Sequence, residues 1–223
     1  EYTFFYTKAL DYQIIKAVDI LFDMISNPRL FESDIETEKG VILEEIAMCE
    51  DDPQDVCSEL NERSIFEGST LGMDILGTRE TVSSFTEKHF REYMEKFYVP
   101  ERMIIGVTGN FDRDEMLRKI EEYFGSYKCT DNPLGFDAVT FRKGMNLRKM
   151  DTEQTHINFS FSGIPLDHED LYPLQVCMFI LGTGTSSMLY QRIREDLGLC
   201  YSIDSWLGRY RGGGYIAISV SLS

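Results

Sequence analysis

The sequence predicts an α+β chain in two parts, and three observations carry that expectation. Apolar residues recur with helical period through most of residues 11–124, and a stretch punctuated by Pro133, Gly135 and Gly144 then breaks the pattern over 131–149. Two-residue alternation sets in after the break. Hydrophobic residues make up 43% of the chain, with 15 Phe and 12 Tyr, enough for a packed core and against a disordered chain.

Residues 11–26 place Ile14, Ile15, Val18, Leu21, Phe22 and Ile25 at helical spacing, and Asn27-Pro28 stops the helix. Ser33 and Glu36 have the spacing of a capping box, which predicts a second helix over 34–50. Pro53 suits a first helical turn, so a third helix is expected over 53–66, followed by a loop over 68–78. Phe85, His89, Phe90, Tyr93, Met94 and Phe97 repeat as a helix that Pro100 ends. Residues 103–108 read as a short apolar strand closed by Gly109-Asn110, and 111–124 as a helix. Beyond the break, Ile157, Phe159 and Phe161 alternate with Asn158, Ser160 and Ser162 as a half-buried strand. Helices over 168–181 and 186–196 and strands over 199–207 and 213–222 complete the order.

The formal charge is −16, from 38 acidic against 22 basic side chains, and no Lys/Arg stripe is present to neutralise phosphates, which argues against a nucleic-acid partner. The same charge is repelled by anionic membrane surfaces, and no apolar run approaches the ~20 residues of a spanning helix. Cys49, Cys57, Cys129, Cys177 and Cys200 are odd in number and form no Cys-x-x-Cys pair. They are expected as buried reduced thiols, which suits a cytoplasmic protein. The first residues carry neither an initiator Met nor signal-peptide regions, and the last strand ends without a turn signal, so both ends are expected to be cuts.

On a wheel of about 100° per residue, Ile35, Val41, Ile42, Ile46, Met48 and Cys49 share an arc about 160° wide. Glu38 and Glu45, seven residues apart, fall near its middle, whereas Glu44 projects to solvent. A buried carboxylate needs a partner. A salt bridge to another helix and a metal ion both satisfy that need, and geometry leaves the two open.

The run Glu38-Lys39-Gly40-Val41-Ile42-Leu43-Glu44-Glu45-Ile46, followed by Asp51-Asp52-Pro53, resembles the third-ligand helix of the pitrilysin/insulinase family of zinc metallopeptidases. The resemblance is to a bacterial, processing-peptidase-like member. It extends in order through Glu1-Tyr2-Thr3, Asn27-Pro28-Arg29, Leu71-Gly72, Ile75-Leu76-Gly77-Thr78, Tyr98-Val99-Pro100 and Gly106-Val107-Thr108-Gly109-Asn110. In that family a His-x-x-Glu-His helix supplies two zinc ligands and the general base, and a later Glu completes the site. The resemblance therefore implies zinc as cofactor, Glu45 as metal ligand and Glu38 as its supporting carboxylate. No His-x-x-Glu-His occurs in this chain, so the piece is expected to be inactive as cut.

Arg194 and Tyr201, also seven apart, begin on a predicted helix and end on a predicted strand. Both donate hydrogen bonds suited to a peptide carbonyl or a developing oxyanion. The family carries such an Arg/Tyr pair in a later domain facing the zinc, which implies that these two bind substrate. The Gly-rich run 181–187 lacks the ending of a phosphate loop and is expected as a turn. His89, His156 and His168 have no metal spacing, and Trp206 is expected in the core.

The resemblance implies two related domains, each an antiparallel sheet with helices on one side, of the processing-peptidase-like type. Residues 1–140 would be the C-terminal part of the first, zinc-ligand domain, 141–150 the linker, and 151–223 the N-terminal part of the second, substrate-contacting domain. Both sheets would be incomplete, and exposed strand edges favour homo-oligomers. The implied function is a metalloendopeptidase acting on peptides or unfolded polypeptides. Two alternatives stand beside it: a catalytically silent homologue serving as a binding or assembly subunit, and a helical scaffold with Glu38 and Glu45 in salt bridges.

Overall fold

The computed structural model describes residues 3–129, 135 and 139–223. Glu1 and Tyr2 of the N-terminal motif, and Pro133 of the expected link, lie outside the described residues. The helices are α1 (Ile14–Ser26), α2 (Glu32–Asp51), α3 (Pro53–Ile65), α4 (Arg79–Ser84), α5 (Glu87–Phe97), α6 (Arg113–Phe124) and α7 (Leu171–Gly182). A π-helical segment, Tyr190–Asp196, follows α7. The strands are β1 (Thr155–Ser162), β2 (Ser202–Tyr210) and β3 (Gly213–Leu222). Packing groups them into two compact units, Glu1–Val41 with Glu80–Pro133 and Ile42–Arg79 with Leu134–Ser223.

The first unit rests on α1 and α6. Val18, Phe22 and Met116 are buried together, and the Phe22 ring meets Tyr123 and Phe124 edge-on at 5.8 and 5.0 Å. Beside them the Asp19 carboxylate accepts from Lys119 Nζ and Tyr123 Oη, each at 3.0 Å, bonds that hold its carboxyl below the ordinary range. Residues 103–108 differ from expectation. A strand exists through its ladder, and among the described residues nothing pairs with this segment, whose Ile104 is 98% exposed.

The second unit is built on an antiparallel sheet of order β1-β3-β2. Tyr215 and Ala217 of β3 turn to one face, where they bury Ile65 and Phe66 at the end of α3. Trp206 packs there too, as expected, and donates to the Tyr215 hydroxyl at 3.4 Å. That hydroxyl donates in turn to Glu62 Oε1 at 2.5 Å. Ser205 of β2 pairs with Ile218, so it faces the other way, and its Oγ donates to the Met178 carbonyl of α7. The sheet therefore lies between α3 and α7.

β1 has its two faces in an order that alternation does not reveal. Ser160 Oγ donates to Asn61 Oδ1 at 2.6 Å and Cys57 Sγ to the His156 carbonyl at 3.5 Å, so α3 covers the polar side. Phe159 and Phe161 are 52% and 54% exposed on the other side. Periodicity states that two faces differ, and the partner element decides which is covered.

Helix starts differ in a similar way. Asp52 caps α3 by accepting from the Gln54 and Asp55 N–H groups, as a residue before Pro53 should. The expected capping box at Ser33 is absent, because α2 starts earlier: the Phe31 carbonyl accepts from both Asp34 and Ile35, and Ser33 Oγ turns to Asp34. The five cysteines stand in no disulfide, but none is fully buried as expected: Cys49, Cys57 and Cys200 are half-buried, and Cys129 and Cys177 are exposed. No described helix is long and apolar enough to cross a membrane.

Candidate functional site

Helix α2 runs unbroken through Glu38 and Glu45 and carries them two turns apart. Both carboxylates are exposed, which corrects the expectation of burial. Of the apolar arc only Ile35 and Ile46 are buried, while Val41 and Met48 are 54% and 72% exposed. A helical stripe becomes a buried wall only where another element covers it, and this one is covered only in part: Ile42 and Cys49 are half-buried.

Among the described residues neither Glu38 nor Glu45 forms a hydrogen bond or ion pair, although Glu36 pairs with Lys39 and Glu50 with Arg79 on the same helix. The surroundings of Glu45 are strongly acidic. Burial, followed by the charges of Asp55, Glu45, Glu59 and Asp52, pushes the Cys49 thiol up.

A catalytic zinc takes three protein ligands. Among the described residues no three His, Cys, Asp or Glu side chains come together to hold a metal; Glu45 is by its chemistry a suitable zinc donor, but one that needs ligands from outside these residues.

Arg194 and Tyr201 do come together. The chain leaves α7 through Gly184, at φ +82°, and buried Ser187 accepts from the Tyr190 N–H at 3.4 Å to open the π-helical segment. The Gly-rich run is thus a turn, as expected. Gly198, at φ +60°, then reverses the chain, and the Tyr201 N–H is fixed by the Ser221 carbonyl at 2.9 Å. The result places the Arg194 guanidinium 5.9 Å from the Tyr201 ring centroid. Tyr201 is 71% exposed.

Sequence reasoning missed Tyr190. Its ring lies 4.8 Å from the same guanidinium, and its hydroxyl accepts a hydrogen bond from Arg194 Nη1. Glu195 Oε1 accepts a second bond from Nη1 at 3.0 Å. The spacing of four residues between Tyr190 and Arg194 within a predicted helix was the available signal. Cys200 lies beside the cluster, where burial raises its thiol pKa and the Arg194 charge opposes the rise. The three histidines play local roles: His89 completes the cap of α5 with Thr86, His156 Nδ1 meets Ser221 Oγ at 3.0 Å, and His168 Nδ1 accepts from the Asp170 N–H.

Comparison with known proteins covers nearly the whole chain. Residues 1–79 match the family described as Insulinase (Peptidase family M16), and residues 84–223 match Peptidase M16 inactive domain. An uncharacterized zinc protease of Bacillus subtilis is 38% identical over 218 residues, or 98% of this chain and 53% of its own length. An uncharacterized zinc protease of Rickettsia felis is 36% identical over 99% of this chain and 54% of its own length. The chain spans about half the length of these curated relatives. A protease from Helicobacter pylori superposes with TM-score 0.85 at 15% identity, over 96% of this chain and 53% of that one. A peptidase M16 inactive domain from Pseudomonas fluorescens does so with TM-score 0.85 at 15% identity, over 92% and 50%. At that identity the two structures establish the fold.

Proposed function

Because this chain belongs to the insulinase, or M16, family of peptidases, we propose that it is part of a longer zinc-dependent metalloendopeptidase that cleaves peptides or unfolded polypeptides. By themselves the 223 residues do not hydrolyse, since they contain no His-x-x-Glu-His and no cluster of metal donors among the described residues. Within the longer protein, Glu45 is the carboxylate ligand of zinc, Glu38 supports it, and Arg194 with Tyr201 binds the substrate.

The observation that carries this reading is the convergence of Arg194 and Tyr201, seven residues apart, with the tyrosine left open to solvent. A guanidinium and a phenol side by side offer several donors to one carbonyl or oxyanion. The scaffold alternative requires cationic partners for Glu38 and Glu45, and among the described residues neither carboxylate has one. The relatives' description as zinc proteases favours catalysis over a silent subunit.

Three further assignments belong to the same proposal. The division into 1–140, a connection at 141–150 and 151–223 belongs here as a reading of the family resemblance: residues 139–150 form neither helix nor strand, while Val139 and Phe141 pack against the Ile65–Phe66 core and the compact units divide the chain elsewhere. Five cysteines that form no disulfide support a cytoplasmic protein. The outer edges of β1 and β2 pair with no other strand among the described residues, which supports association between chains.

The test is zinc content and peptidase activity of the full-length protein beside this chain, with Glu45→Gln as control. Zinc and cleavage in the full-length protein, absent from the 223-residue chain and lost in the mutant, establish the reading. A full-length protein that neither binds zinc nor cleaves unfolded peptides replaces it with the silent binding homologue.

A further inference from the structure

We propose that Tyr190 is the positioning residue of the substrate-binding arginine, holding the Arg194 guanidinium so that its free edge and the Tyr201 hydroxyl meet the peptide together. This inference rests on the substrate role proposed above for Arg194 and Tyr201.

Three features separate Tyr190 from a neutral neighbour. First, it contacts the guanidinium twice, through its ring and as hydrogen-bond acceptor to Nη1, so it restricts both tilt and swing. Second, Nη1 is fully occupied by Tyr190 and Glu195, whereas Nη2 and Nε form no hydrogen bond among the described residues. The restraint thus falls on one corner of the fork and leaves the opposite edge free to donate. Third, the two tyrosines differ in how firmly they are held. The Tyr190 side chain is half-buried with its hydroxyl bonded to Arg194, while that of Tyr201, whose N–H is also bonded, is 71% exposed. Tyr190 is the fixed wall, and Tyr201 is the side chain able to close on a ligand.

The π-helical winding belongs to this arrangement. A π-turn advances the chain by fewer degrees per residue than an α-turn, so side chains four apart take a different relative direction, and such turns are uncommon and frequently occur at functional sites. Here the π-segment starts on Tyr190 itself and carries Arg194 within it.

A long arginine without this restraint samples several rotamers, and each must be frozen when substrate binds. In the full-length enzyme, Tyr190→Leu is expected to lower kcat/KM about tenfold, the size of a lost cation–π contact and a misplaced donor. Tyr190→Phe keeps the ring and loses only the acceptor, so about threefold is expected. The decisive comparison is made in an Arg194→Ala background, where Tyr190→Leu should change kcat/KM by no more than about twofold. An undiminished tenfold loss in that background shows that Tyr190 acts on the fold rather than through Arg194, and overturns the proposal.

A second readout needs no catalysis. In the 223-residue chain, the Arg194 Hε proton signal is expected to be shifted upfield by the flanking rings and to return to the other arginines' range in Tyr190→Leu. An unchanged Hε shift in Tyr190→Leu overturns the clamp. If the full-length protein cleaves nothing, the peptidase reading falls, while this signal still decides whether Tyr190 holds Arg194.

Discussion

Helix α2 and the segment from Gly182 to Leu222 present the proposed metal carboxylates and the proposed substrate groups in opposite ways. On α2, Glu38 and Glu45 stand exposed with no partner among the described residues. In the later segment the groups are held by neighbours: Arg194 by Tyr190, Glu195 and Tyr201, the Tyr201 backbone by the Ser221 carbonyl, and the sheet beneath by Tyr215. The difference is one of sequence range. Tyr190, Arg194 and Tyr201 lie within one short stretch of chain, so local winding and one reversal assemble them. A metal ligand set draws donors from distant positions, so a helix can display its carboxylate without defining the site.

If the later segment is built rather than displayed, disturbing its frame should be costly. The largest effect is expected at Gly208, which pairs directly with Tyr215 across the hairpin and lies under its ring. A Cβ there would sit 1.9 Å from Tyr215 Cε1, so Gly208→Ala must push the ring off Glu62 and Trp206. Overpacking of this kind costs about 1–3 kcal/mol, read as a lower urea midpoint of the 223-residue chain. A midpoint that does not move would show that the ring has room and that the frame is loose.

Gly198→Ala is the next effect in size. Its φ of +60° is unfavourable for a side chain, but nothing lies within 4 Å of where an alanine Cβ would stand, so only the backbone cost remains. That cost is about 1–2 kcal/mol. The structural consequence sharpens the comparison more than the stability does: relaxing the reversal should carry Tyr201 away from Arg194, and the Arg194 Hε shift should shrink although both side chains are intact. A destabilised chain with an unchanged Hε shift would mean that the reversal does not set the pair.

What was legible in the sequence follows the same division between local and distant causes. Helix periods, the helix start at Pro53 and the strand segments near 199–207 and 213–222 rest on near neighbours, and the structure has them close to where the sequence places them. The strand expected at 103–108 and the buried setting expected for Glu38 and Glu45 both depend on other elements, and there the structure departs. β1 is the sharpest case: its alternation was legible, yet α3 brings Cys57 and Asn61 to the polar side. The Arg194–Tyr201 pairing was legible only through the family resemblance, because a seven-residue separation across a π-segment and a reversal has no simple period.

The smallest expected effect tests the other side of the comparison. A carboxylate held in a structural salt bridge leaves its partner unpaired when it is neutralised, and the chain loses stability. A displayed carboxylate loses nothing of that kind. Glu38 and Glu45 are exposed and unpartnered among the described residues, and Gln matches Glu in helix propensity, so Glu38→Gln and Glu45→Gln should each leave the urea midpoint of the chain within about 0.5 kcal/mol of the parent. For Glu45 there is also a reason for a slight gain, since its charge adds to an acidic field that already includes Asp55, Glu59 and Asp52 around Cys49. A loss well above 1 kcal/mol at either position would make that carboxylate a structural one and return the helical scaffold as the better reading. Near-neutral stability, together with loss of zinc from the full-length Glu45→Gln protein, would separate what the residue does for the reaction from what it does for the fold.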